Sequence, residues 1–290
     1  SARIANDRFF EGHPYALNSG GTLSSLGNIT ADDLRDFATT RLARDNLHVA
    51  IVGDITAENA KQAINNIFAN LPESANLPEV ADINVQNVNT LAVFEAPIPQ
   101  TIISVVQDAP PRDHDDYFAF TVMNHILGAS GFGSRLTQEI REKRGLTYAI
   151  YSYPQYMDHI NTLNVSVATA NENAGQVLDL LTAEMKRIQD EPVSAQERDE
   201  TISYLIGSFP LTLSSTSSIA GLLLNMQVEE LSVDYINERR KGFESVTIAD
   251  IQKAAQTYLT PDNLAIIMIG QPQGLDHEDV TKLTTLPNVE

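Results

Sequence analysis

The sequence contains no cysteine. That excludes disulfides, thiolate metal sites and a cysteine nucleophile within these residues, and it leaves the compartment open. Basic residues are scarce: 19 Lys plus Arg stand against 38 Asp plus Glu, a formal charge of -19. Such a field repels phosphate backbones and anionic bilayers at long range, so neither nucleic acid nor a membrane is expected as a partner. Long apolar runs are missing too. The clearest, residues 264–269 and 219–224, fall far short of the roughly 18 residues needed to cross a bilayer. A histidine pair one helical turn apart is also lacking. None of His13, His48, His114, His125, His159 and His277 has a histidine at i+4, so no zinc-hydrolase helix can be read.

The 290 residues are 42% hydrophobic, enough for one large or two ordinary domains with sizeable cores. Ser1 rather than Met opens the chain, and residues 1–10 mix Arg3, Asp7 and Arg8 with apolar side chains, unlike a signal peptide; the natural N-terminus is expected upstream. Thr30 and Asp33 start a capped helix, and Leu47 to Val52 then reads as a buried strand ending at Gly53. A helix from Thr56 carries Ala60, Ala63, Ile64, Ile67 and Phe68 on one face and stops at Leu71-Pro72. Asn, Pro and acidic residues follow without any period. The expected organisation is therefore a domain over 1–75, a linker over 76–90 and a second domain over 91–290. In the second domain, strands are expected at 91–95, 101–107, 147–153 and 162–168, with helices at 116–127, from 173, from 194 and over 247–259, and a last strand at 264–269.

An internal repeat carries the most information. Shifted by 217 residues, 30–53 aligns with 247–270 without a gap, and nine of the 24 positions are identical: Thr30/Thr247, Asp33/Asp250, Ala38/Ala255, Thr40/Thr257, Leu42/Leu259, Asp45/Asp262, Asn46/Asn263, Leu47/Leu264 and Gly53/Gly270. Two copies of one closing unit imply two homologous domains. The first copy has few residues before it, so the front of the first domain is expected to be supplied from elsewhere. Until that happens its apolar faces should drive self-association or capture of another segment.

Chemistry is sparse. His114 sits among acidic residues that ordinarily complement a helix dipole, and His125 reads as a buried side chain. The segment Gly128-Ala129-Ser130-Gly131-Phe132-Gly133-Ser134 lacks the lysine of a phosphate-binding loop. It lets the backbone approach a partner or a peptide closely, or it is a plain flexible connection, with Ser134 capping the next helix. That helix turns Leu136 and Ile140 inward and Glu139, Arg141, Glu142, Lys143 and Arg144 outward, and ends at Gly145. Arg141 on its last turn and Tyr148 on the next strand can converge to hold a peptide carbonyl or a developing oxyanion; the alternative is an ordinary solvated face.

At these residues the sequence resembles the pitrilysin-type M16 metallopeptidases, the family that includes the mitochondrial processing peptidase and the core proteins of the bc1 complex. The markers run in order along nearly the whole chain: Gly12-His13-Pro14-Tyr15, Gly21-Thr22, Ile29-Thr30, Asp33-Leu34, Asp45-Asn46, Val52-Gly53-Asp54, then Ser134-Arg135-Leu136 through Arg141-Glu142-Lys143-Arg144-Gly145-Leu146-Thr147-Tyr148. The resemblance implies an α+β fold of two homologous domains, each a mostly antiparallel sheet with helices packed on one face, the first truncated at its N-terminus. It implies that Arg141 and Tyr148 contact the substrate and transition state, and that Gly128, Gly131, Phe132 and Gly133 occupy the place of a substrate-handling loop. No metal ligand is implied here. Zinc is expected in the complete peptidase or in a zinc-bearing partner half, so the chain alone should be inactive. Peptide substrate and a homo- or hetero-dimer partner are implied as well, with the periplasm as the expected location and the cytoplasm the other one. The alternative within the family is a non-catalytic assembly subunit of the bc1 core-protein kind.

Overall fold

Residues 265–270 are apolar almost without interruption, the pattern of a strand covered on both faces rather than one. The computed structural model describes residues 2–129, 133–276 and 280–284, and in it this segment lies inside a six-stranded sheet. The helices are α1 (Ala2–Phe9), α2 (Leu23–Asn28), α3 (Ala31–Arg41), α4 (Ala57–Phe68), α5 (Tyr117–Asn124), α6 (Ala174–Asp190), α7 (Ala195–Ser208), α8 (Thr216–Val228), α9 (Tyr235–Ser245) and α10 (Ile248–Tyr258). The strands are β1 (Thr90–Glu95), β2 (Gln100–Asp108), β3 (Thr147–Met157), β4 (Ile160–Ala170), β5 (Ala265–Gly270) and β6 (Val280–Leu283).

The strand order is β3-β4-β2-β5-β1-β6. β3, β4, β2 and β5 pair antiparallel in turn, whereas β5 with β1 and β1 with β6 are parallel. The fold is thus mixed α/β, its sheet mostly antiparallel as expected. Alternation along each strand sends Ile150, Val165, Val105 and Met268 to one face, where they are buried. Over it α6 lies against β2 and β4, and α10 packs on α5 and α6. The opposite face is not bare. Ile4, Phe9 and Phe10 form an apolar cluster with Ala92, Val106, Ala265, Ile267 and Ile269, so α1 covers part of it. His13, from the Gly-His-Pro-Tyr marker, is buried beside this cluster and bonds through Nε2 to the Ala81 carbonyl at 2.9 Å.

The chain forms two compact units that interleave in sequence. Among the described residues, one contains those up to Thr22, Ala81–Ser203 and those from Lys241 to 284; the other contains Leu23–Val80 and Tyr204–Arg240. Within the stretch expected to be a linker, Val85 is buried and the Ile83 N–H donates to the His159 carbonyl at 3.0 Å, so apolar side chains tie this segment to the sheet-bearing unit.

The second unit corrects the sequence reading of 47–52. These residues form no strand, and no strand among the described residues pairs with them. The apolar run is present, but a strand needs a neighbour's N–H and C=O groups to bond. The helices flanking it do form: Thr30 and Asp33 make the expected capping box on α3, and Thr56 caps α4. Leu34, Phe37, Leu42, Ile51, Ile55 and Ile67 remain exposed.

Candidate functional site

The site residues lie in the sheet-bearing unit, on the stretch from α5 to β3. Tyr117, Phe120, Val122 and Met123 are buried along α5, which runs into a π-helical turn at His125–Ala129. Burial holds the His125 ring below its ordinary pKa and thus neutral near pH 7, the side chain expected from sequence. Asn124 is anchored by the Ser152 hydroxyl, which donates to its Oδ1 at 2.6 Å. Gly128 is buried, and a Cβ there would sit 2.9 Å from the Ser152 backbone nitrogen. The close approach made by this glycine is therefore to β3. Gly133 is exposed, while Gly131 and Phe132, also expected to bind substrate, lie outside the described residues.

Ser134 caps the next helical segment. It is buried, its Oγ donates to Thr137 Oγ1 at 2.9 Å and accepts from the Thr137 N–H at 3.4 Å. The helix expected from residue 135 is π-helical over Thr137–Glu142, with the Lys143 N–H bonded five residues back to the Gln138 carbonyl at 3.0 Å. Leu136 and Ile140 are fully buried, as their spacing predicts. That spacing fits an α-turn and a π-turn alike, so the pattern did not reveal which. Glu139 departs from expectation: its side chain is only 13% exposed and accepts from Lys143 Nζ and from Arg144 Nη1, the latter at 2.8 Å. Those two hydrogen bonds, that from Lys143 first, hold its carboxyl below the usual range against the opposing effect of burial.

Gly145 then reverses the chain. Its φ of +63° is a left-handed conformation that favours glycine, and its N–H bonds to the Arg141 carbonyl at 2.8 Å. β3 starts with an irregularity in its pairing to β4 between Thr147 and Ile150, which leaves Tyr148 85% exposed. Arg141 and Tyr148 meet here. The guanidinium carbon is 5.2 Å from the centroid of the Tyr148 ring, a cation-π contact, and Arg141 Nε lies 3.5 Å from Glu142 Oε1. A guanidinium and a phenol on one exposed patch offer several N–H donors and one O–H donor, a set suited to an oxygen acceptor such as a peptide carbonyl.

One important pair escaped the sequence. Arg135 grips Glu197, at the start of α7, through Nε at 2.8 Å and Nη2 at 3.1 Å. Burial alone would raise the Glu197 carboxyl, but Arg135 and the Ser194 N–H outweigh it and hold it at about 2. The Ser194/Glu197 capping box was legible; a partner 62 residues away carries no local signal. His114 joins a surface cluster instead of a metal site: Tyr258 Oη is 3.3 Å from its Nδ1 and donates to Asp116 at 3.0 Å. Among the described residues no group of three or more His, Asp or Glu could hold a metal ion, so they do not fit the zinc that the resemblance assigns to a complete peptidase.

The family model described as peptidase M16 inactive domain matches residues 28–205, more than half of the chain. A protein named uncharacterized zinc protease from Streptomyces coelicolor is 25% identical over 248 residues, which cover 82% of this chain and 53% of that protein. The non-peptidase homolog YmxG of Helicobacter pylori is 24% identical over 253 residues, covering 82% and 58%. The chain thus spans about half the length of the curated relatives it matches. Among solved structures, a peptidase M16 inactive domain from Pseudomonas fluorescens superposes with a TM-score of 0.85 at 28% identity, covering 95% of this chain and 66% of that one.

Proposed function

The chain belongs to the peptidase M16 family, and from that premise we propose that it is a non-catalytic half which binds an unfolded peptide for a zinc-bearing half to cut, using Arg141 and Tyr148 to hold a backbone carbonyl. The observation that carries this reading is the stack of Arg141 over Tyr148, with the phenol open to solvent. The guanidinium lies over the ring, 5.2 Å from its centroid, and the phenol adds a neutral donor beside it. Both groups gain most when the carbonyl oxygen takes on negative charge, so they favour a transition state over a ground state. In this reading hydrolysis belongs to the zinc-bearing half, and this chain's share is binding and orientation.

The name of the Streptomyces coelicolor relative, a zinc protease, supports the peptidase setting. The Helicobacter pylori relative, named a non-peptidase homolog, favours a second reading, an assembly subunit in which the same pair is structural. One experiment separates them. The chain is combined with a zinc-bearing M16 half and the cleavage of a fluorogenic, unstructured peptide is followed. Arg141→Ala and Tyr148→Phe should each lower turnover on the order of 10²-fold, the usual cost of removing one transition-state donor. Undiminished turnover in variants that still fold and join the complex would leave the assembly role in possession.

A further inference from the structure

The ten residues 135–144 contain four cations, Arg135, Arg141, Lys143 and Arg144, in a chain that has only 19. So many like charges within three turns must be shared out among carboxylates. Glu197 takes Arg135. Glu139 takes two more: Lys143 bonds its Oε1, and Arg144 Nη1 bonds both its Oε2 at 2.8 Å and its backbone carbonyl at 2.7 Å. Arg187 of α6 comes to 4.0 Å of Glu139 and is itself held by Glu184 at 3.2 Å and Glu191 at 3.4 Å. Arg141 alone of the four is turned to Tyr148, with Glu142 as its carboxylate neighbour.

We propose that Glu139 is a positioning residue: by drawing Lys143 and Arg144 to itself it keeps them from Glu142 and leaves Arg141 over the Tyr148 ring. The inference rests on the reading of Arg141 and Tyr148 given above for its functional consequence, though not for its geometry. The chemistry is that of competing ion pairs. Glu139 is sunk among its partners, so its charge is screened less than that of an exposed pair. Without that charge, the two released cations find their nearest in-segment carboxylate at Glu142, beside Arg141. They also repel the Arg141 guanidinium itself. Gly145 and the turn behind it hold the backbone in either case, so the effect falls on the side chain.

The test is spectroscopic first. In labelled protein the side-chain resonances of Arg141, identified by their loss in Arg141→Lys, should carry the upfield ring-current shift of a group above an aromatic face. Glu139→Gln keeps the shape and removes the charge, and should abolish that shift. Adding Lys143→Met and Arg144→Met to Glu139→Gln should restore it, because the competitors are gone; a merely structural role for Glu139 would not be rescued this way. Glu197→Gln, which breaks the Arg135 ion pair of the segment, should leave the shift intact. In the reconstituted peptidase Glu139→Gln should lower kcat about tenfold with a smaller change in KM, the mark of misplaced rather than missing machinery. Persistence of the ring-current shift in Glu139→Gln overturns the proposal, as does failure of the triple variant to recover it. If the shift responds as expected while Arg141→Ala leaves turnover untouched, positioning stands and the functional reading falls.

Discussion

Residues 30–53 and 247–270 begin in the same way. In each, a threonine hydroxyl accepts from the N–H of an aspartate three residues on, and that aspartate's carboxylate accepts from the threonine N–H in return. Helices of eleven residues follow in both, α3 and α10. Beyond that they diverge. In the second copy Ile251 and Ala254 are buried at 0% and 1% exposure; their counterparts in the first, Leu34 and Phe37, are 62% and 58% exposed. Leu259 is 2% exposed and Leu42 49%. The closing segment is the central strand β5 in one copy and has no strand partner among the described residues in the other. The difference shows which parts of this unit are local. A capping box and a helix of good propensity form from their own residues, whereas a strand and a core exist only where other elements cover them.

Amide hydrogen exchange gives the comparison its hardest test. The amides of 265–270 are laddered on both sides within a buried sheet, so they should exchange only through large openings. Those of 47–52 have no strand partner among the described residues and should exchange on the order of 10³-fold faster or more. Equal protection in the two segments would mean that the first copy has found a partner strand.

Core truncation comes next in size. Leu259→Ala should cost about 2–5 kcal/mol, the range for a buried leucine whose cavity cannot fully collapse. Leu42→Ala, at the equivalent position, should stay within about 0.5 kcal/mol, as exposed sites do. The measurement is the midpoint of denaturant unfolding followed on the sheet-bearing unit. A large loss from Leu42→Ala would show that the first copy is covered in solution, by a second molecule or by another part of the chain.

Much of this was legible in the sequence. The strands expected at 91–95, 101–107, 147–153 and 162–168 are β1 to β4, each slightly longer than read, because alternation marks where side chains are buried and ladders run past that point. The repeat announced both capped helices. The same rule misread 47–52: Leu47 to Val52 and Leu264 to Ile269 are both apolar runs, and apolarity records the burial a segment is suited to, not the neighbours it has. At the candidate site, the spacing of Arg141 and Tyr148 was readable and the two side chains do meet. Glu139 was read as outward because the helical wheel does not show Lys143 and Arg144 folding back onto its carboxylate, nor Arg187 of α6 coming to 4.0 Å of it. At Gly128 a close approach of the backbone was readable from the residue type, but no local pattern could announce that Ser152 of β3 is packed against it.

A third capping box sharpens the comparison from another side. Ser194/Glu197 has the same form as the other two but its carboxylate is also clamped by Arg135. Glu197 titrates at about 2 when folded against an ordinary 4.5. Its folded value lies below its unfolded one, so the stabilisation is fully present above pH 4.5 and is lost as the pH falls towards 2. Asp33 and Asp250 are also held low, each first by its threonine hydroxyl, so they act in the same direction. Acid unfolding of Glu197→Gln should therefore begin from a lower stability at neutral pH and depend less on pH below 4.5 than the parent chain. An unchanged acid limb would show that the clamp does not form.

The smallest effect concerns the caps themselves. Thr247→Ala removes the hydroxyl that accepts from Asp250, and α10 belongs to the buried layer over the sheet, so the loss of about 1 kcal/mol typical of an N-cap should appear in the unfolding midpoint of the whole sheet-bearing unit. Thr30→Ala removes the same hydrogen bonds from α3, whose residues bury nothing among the described residues. Its cost should stay local, visible as weaker helical chemical shifts over Ala31–Arg41 and absent from the unfolding midpoint. Equal midpoint shifts from the two substitutions would tie α3 to the same cooperative structure as α10, and the contrast between the two copies would then reduce to a difference in surface exposure alone.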